Sequence, residues 1–141
     1  MTTTWAMRGT DRRDDLLTWH EVLRHHRTLR GINAPVAGDA DTPRSILVNA
    51  APGAPYGDSG VADTFDYAGE GRAGDQTPTR GNRGLILAHE RGYPVRMFEK
   101  RGPNRWRDHG DYLVGDYTDG YDPAERRRVI RFRLRRMEET R

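Results

Sequence analysis

At 141 residues the chain holds one domain, or one domain with an ordered arm, and leaves no room for a second large catalytic domain. Having no cysteine, it has no disulfide framework, thiolate zinc site or cysteine nucleophile, and no stretch approaches the ~20 apolar residues of a bilayer span. The net charge of +3 conceals an asymmetry: residues 1–79 carry 8 basic and 11 acidic groups, residues 80–141 carry 16 and 10. A basic half suggests a polyanionic partner. Of the 24 basic residues only Lys100 is a lysine. Codon bias in a GC-rich genome is the ordinary cause, but the arginine fork also suits phosphate. The opening residues MTTTWAMRGTDRRDD lack the apolar core of a signal peptide, so a cytoplasmic protein is expected, with no membrane partner.

In chain order, residues 11–30 have helical spacing, with Leu16, Trp19, Leu23 and His26 or Arg27 on one stripe. Asp11, Asp14 and Asp15 suit the start of that helix, Arg27 and Arg30 its end, and Gly31 closes it. From Gly31 to Thr64 proline and glycine interrupt every pattern, apart from a short buried strand at Ser45–Val48. A strand is expected at Phe65–Tyr67, followed by a glycine-rich loop through Gly69, Gly71 and Gly74. Residues 82–91 predict a helix stopped by Gly92. Strands come next at Pro94–Phe98 and Asp111–Val114. The last strand alternates Ile130, Phe132 and Leu134 with Arg131, Arg133 and Arg135, so one face meets a core and the other meets solvent or an anion. Together these elements predict a small α+β domain on a curved sheet.

Chemistry-bearing patterns are sparse. The five histidines show no metal-ligand spacing, so no metal and no cofactor are expected. Asp108, Asp111 and Asp116 are the carboxylates a metal nuclease would need, although aspartates of this kind are usually turn residues. Gly69 to Gly74 fits G-x-G-x-x-G, but Asp-Gln-Thr-Pro comes after it where a dinucleotide site needs an apolar helix. No G-x-S-x-G elbow is present. Tyr56, Asp58 and Tyr67, with Ala50, Ala51, Gly53 and Ala54 nearby, offer two rings and an acid among small residues. Two tyrosines can sandwich a flat heterocycle, and a carboxylate between them can accept from an exocyclic amine. Spacing alone does not separate that use from the commoner one, loop tyrosines that simply pack.

Four blocks in order carry a resemblance: Tyr67-Ala68-Gly69-Glu70-Gly71, Gly74-Asp75-Gln76, Gly81-Asn82-Arg83-Gly84-Leu85, and Gly92-Tyr93-Pro94-Val95-Arg96. From about Arg44 to about Met137 the chain resembles the SRA (YDG) domain, in the bacterial form often joined to HNH nuclease domains. The resemblance implies a PUA-like curved β-barrel flanked by helices, with residues 1–32 as an N-terminal arm and helix and 33–141 as the DNA-binding domain. It also implies a partner, DNA carrying 5-methylcytosine or 5-hydroxymethylcytosine, whose modified base is flipped into a pocket. By position Tyr56 and Tyr67 would stack on the base and Asp58 would accept from its amino group, with a one-residue gap in the match. Ala51 and Gly53 would form the wall, with Ala68 and Gly69 beside Tyr67. Asp75 and Asn82 would brace loops. Arg72, Arg80, Arg83, Arg96 and the Arg126-Arg127-Arg128 run are the candidate contacts to the DNA backbone, and Arg91 is a further cation on that half.

The chain departs from the family pattern at three places. Ala68 stands where the eukaryotic readers have threonine, which leaves base hydrogen bonding to backbone groups and room for a larger 5-substituent. Only Arg72-Ala73 separates Gly71 from Gly74-Asp75, so the long loop that probes the opposite strand is absent. The family tripeptide reads Asp108-His109-Gly110. The reading is therefore a non-enzymatic DNA-binding module acting at the nucleoid of a bacterium, with a nuclease partner as a second expectation. The rival is a nuclease acting through Asp108 to Asp116, or the binding subunit of a two-protein endonuclease.

Overall fold

The computed structural model describes residues 16–49 and 63–137. Six strands form one sheet: β1 (Ile32–Asn33), β2 (Ser45–Asn49), β3 (Thr64–Ala68), β4 (Val95–Gly102), β5 (Arg105–Asp122) and β6 (Arg127–Arg136). Their order is β1-β2-β4-β5-β6-β3. All neighbours are antiparallel except β2 and β4, which run parallel because the chain crosses over through β3 and a helix between them. The helices are α1 (Trp19–His26) and α2 (Arg80–Arg91).

The sheet curls into a half-barrel. β3 lies at one edge and β2 near the other, yet the Tyr67 hydroxyl on β3 sits 3.4 Å from the carbonyl oxygens of Leu47 on β2 and of Gly31 just before β1. A flat sheet would hold these groups several strand spacings of ~4.8 Å apart. Two bulges in β5 help bend it. His109 is the extra residue against β4, where Phe98 pairs Asp108 and Met97 pairs Gly110; Gly115 is the extra residue against β6. Gly110 takes φ 83°, a conformation open to glycine at no steric cost.

The inner face carries the main core, in which Ile46, Val95, Met97, Tyr112, Ile130, Phe132 and Leu134 are fully buried. α2 covers it with Leu85, Ile86 and Ala88, and ends at Gly92 in the left-handed conformation. Gly84 lets α2 approach the segment after β1, since a Cβ there would lie 1.6 Å from the Ala34 carbonyl oxygen. The outer face carries a smaller cluster of Val22, Phe98 and Trp106, onto which α1 docks.

Several expected boundaries move. The helix expected over 11–30 is the eight-residue α1, while residues 11–15 lie outside the described residues. Thr18 and Glu21 form a capping box that starts it, and Arg27, at φ 60°, stops it before Arg30. Leu17 is thereby left to a bridge with Trp106, and Val22 with His26 forms the buried stripe in place of Leu16 and Leu23. The strand expected at Asp111–Val114 extends over 18 residues, because bulges let it keep pairing through Gly110 and Gly115. The strand expected at Pro94–Phe98 runs on to Gly102. Ser45–Val48 and Phe65–Tyr67 are strands as expected, each slightly longer.

Candidate nucleic-acid interface

The glycine-rich stretch after β3 is held in place at almost every residue. Gly69 N–H donates to the Ile130 carbonyl at 2.7 Å, and a Cβ on Gly69 would meet Asn82 Oδ1 at 2.6 Å. Asn82, buried in the first turn of α2, accepts from Glu70 N–H at 2.8 Å and donates from Nδ2 to the carbonyls of Glu70 and Thr77. Gln76, also buried, donates to the carbonyls of Gly69 and Gly71 and accepts from Ile130 N–H at 2.8 Å. Asp75 accepts from Arg128 N–H at 2.8 Å. Asp75 and Asn82 are thus loop braces, as expected. Glu70 accepts from Gly81 N–H at 3.0 Å, so a carboxylate of the chain already occupies the anion-favouring start of α2. That is a structural use for the G-x-G-x-x-G spacing, far from nucleotide binding.

This frame fixes Tyr67, Ala68 and Gly69 at the end of β3. Tyr67 is half-buried against the main core, and its ring centroid is 6.4 Å from that of Phe65. Its ring lies where the two edges of the half-barrel approach each other. Tyr56, Asp58, Ala51 and Gly53 lie outside the described residues, as do Ala50 and Ala54.

The expected backbone contacts divide into groups. Arg72 in the glycine-rich loop and Arg80 and Arg83 at the start of α2 are exposed, with no ion pair among the described residues. Arg127 turns inward to the same loop, donating to the carbonyls of Gly71 at 2.7 Å and Gly74 at 3.2 Å and pairing with Glu125. Arg126 is exposed at the β5–β6 turn with φ 60°, and Arg128 pairs with Asp119 at 3.1 Å. Arg96 stands apart, lining an outer-face cleft of about 250 Å³ with His25, Arg44 and Asp111. Both carboxylate oxygens of Asp108 accept from it, and that bonding raises its pKa above the ordinary arginine value.

The tripeptide Asp108-His109-Gly110 proves to be a bulge lock. Asp108 accepts from Gly110 N–H at 2.8 Å while holding Arg96. His109 donates from Nε2 to the buried Glu99 at 2.7 Å, and burial lowers the His109 pKa, with the Glu99 bond opposing. Of the aspartates weighed as a nuclease site, Asp108 is engaged with Arg96 and Gly110, and no group of three His, Asp or Glu side chains among the described residues could hold a metal ion. The Glu99–His109 pair escapes a reading by spacing, because it forms only when β4 and β5 pair.

The chain belongs to the ScoMcrA-like SRA domain family, which matches residues 19–140. No curated protein matches it. Among solved structures it is similar to the SUVH5 SRA domain in complex with methylated CHH DNA, at 23% identity and TM-score 0.70, over 92% of this chain and 90% of that one. The SUVH5 SRA domain bound to fully hydroxymethylated CG DNA gives 24% identity and TM-score 0.66, over 86% and 83%. Arabidopsis thaliana SUVH6 in complex with SAM gives 21% and 0.67; there 90% of this chain covers 26% of that one. The family and the half-barrel fold are those the motif blocks imply. No helix among the described residues is long and apolar enough to cross a membrane.

Proposed function

We propose that the chain reads modified cytosine in duplex DNA, 5-methylcytosine or 5-hydroxymethylcytosine, by extruding the base into a pocket beside Tyr67. The observation that carries the reading is the position of Tyr67. A rigidly braced loop holds its ring where the two sheet edges meet, in a chain of the SRA family. Similar SRA structures hold methylated and hydroxymethylated DNA, which supports the choice of partner. Tyr56 supplies the second ring, Asp58 accepts from the cytosine amine, Ala51 and Gly53 complete the wall, and Ala68 with Gly69 offers backbone groups. Arg72, Arg80 and Arg83 hold backbone phosphates, with Arg126 and Arg128 at the hairpin and Arg96 and Arg127 in bracing roles. The reading domain is residues 33–141, with 1–32 as an arm whose helix docks on the outer face. The chain recognises without cleaving, and cleavage belongs to a partner nuclease.

The energies agree with such a scheme. Extruding a paired base costs a few kcal/mol. Two aromatic stacks at ~1–3 kcal/mol each offset that. Burying the methyl adds ~1 kcal/mol, a preference of about fivefold to tenfold. Gel-shift competition among matched duplexes carrying cytosine, 5-methylcytosine or 5-hydroxymethylcytosine tests it, repeated with Tyr67→Ala and Asp58→Ala. A preference for a modified duplex that both variants lose is expected; equal affinity for all three duplexes discards base extrusion.

A further inference from the structure

The residues after α1 lie beside the proposed pocket, yet base recognition leaves them without a role. Arg27 turns the chain back from α1 in the left-handed region. His26 then ties down the tail that leads from α1 into β1. It is fully buried, its Nε2–H donates to the Arg30 carbonyl at 2.5 Å, and its Nδ1 accepts from the Ser45 hydroxyl at 2.7 Å. The partners dictate this tautomer, since a carbonyl can only accept. Gly31 accepts from Leu47 N–H at 2.8 Å. The tail is latched to β2, and the Gly31 carbonyl faces the Tyr67 hydroxyl. On its other side Thr28 shares a cleft of about 220 Å³ with Arg80 and Gly81. The tail therefore bridges Tyr67 and the first turn of α2.

The arginines here are Arg24 in the last turn of α1 and Arg27 and Arg30 on the tail, all exposed and without an ion pair among the described residues. Glu21, the nearest acid along α1, is held in the capping box by Thr18. Glu21 offsets part of the Arg24 charge, but three guanidiniums outnumber it, and like charges left in excess repel one another, which an anion relieves. We infer that this tail, with the last turn of α1, is a further DNA-contacting element, in which Arg24, Arg27 and Arg30 hold backbone phosphates next to the extruded base, on a basic surface continuous with Arg80 and Arg83. The inference rests on the proposed reading of modified DNA for the side of the molecule that the duplex occupies.

Fluorescence anisotropy across a salt series, with two duplexes identical except for one 5-methylcytosine, tests it. The full chain is compared with R24Q/R27Q/R30Q, with R27G, and with R131Q/R133Q on β6, whose arginines are paired with acids. The triple variant should weaken both duplexes by the same factor and make the log–log salt slope shallower by about 2 to 3, since each lost phosphate contact removes about 0.9. R27G places glycine where the backbone favours it, so it should melt no lower than the parent while its slope falls by about 1. R131Q/R133Q should leave the slope unchanged. An unchanged slope in the triple variant overturns the inference, as does a loss confined to the modified duplex. A parent that binds both duplexes equally overturns the base-reading proposal and leaves the slope of the triple variant to decide this one. Failure to bind either duplex overturns both.

Discussion

Arg133 and Arg83 are both exposed arginines, but they keep opposite company. On the outer face of β6, Arg133 meets Asp66 at 3.1 Å, and Arg131 meets Asp122 at 2.5 Å with Glu125 nearby. The register puts acids there: Asp66 of β3 and Asp116 of β5 both pair with Arg133 across the sheet. Elsewhere Arg72, Arg80 and Arg83 are exposed with no ion pair among the described residues, and Arg80 shares a cleft with Thr28 of the tail after α1. Arginine count therefore does not locate the DNA side. In the alternating stripe Arg131, Arg133, Arg135, the most conspicuous basic pattern in the chain, Arg131 and Arg133 are neutralised by neighbouring acids. Exposed pairs of this kind stabilise a fold by only ~0–1 kcal/mol, so their main effect is to cancel a field.

The largest expected effect comes from the proposed base site at Tyr67. Tyr67→Ala removes a stacking surface worth ~1–3 kcal/mol and should abolish the preference for modified duplex in competition binding. Next, Arg80→Gln with Arg83→Gln should reduce the salt slope of binding by about 2 for any sequence, modified or not. An unaltered slope would end the distinction between the two sets of arginines. A smaller change goes the other way. Asp66→Asn with Asp122→Asn uncovers Arg133 and Arg131, and should raise affinity for unmodified DNA a fewfold, read in the same titration; no gain would mean that the outer face is sterically barred from DNA.

The latch under the tail gives a pH effect. Burial lowers the pKa of both His26 and His109 below the ordinary 6.5. The unfolded chain takes up protons near 6.5 while the folded chain resists until lower pH, so unfolding becomes favoured as acid is added. The stabilisation from keeping both rings neutral is whole above 6.5 and is lost as the pH falls below it toward the folded-state values. Urea midpoints at pH 7.5, 6.5 and 5.5 should decline in that order, and His26→Gln should flatten the decline.

Much of the frame was legible in one dimension, for local reasons. Alternation of Ile130, Phe132 and Leu134 is a strand whatever surrounds it, and Gly92 can stop a helix without outside help. The motif blocks could also be read, because each brings together Gly, Asn, Asp and Gln whose bonds reach over short loops: Glu70 to Asn82, Gln76 to Gly69. β5 was hidden because the bulges that carry its pairing through Gly110 and Gly115 depend on partner strands. α1 was overdrawn because Leu17, inside the helix expected over 11–30, pairs instead with Trp106, 89 positions on.

Residue order was enough to settle the local elements and the family, since both rest on residues near one another along the chain. Which arginines are cancelled and which are left facing outward was settled only when the strands came together. That outcome depends on strand register and on the curl that brings Gly31 to Tyr67, and electrostatic balance is a property of distances in space that no spacing along a chain contains.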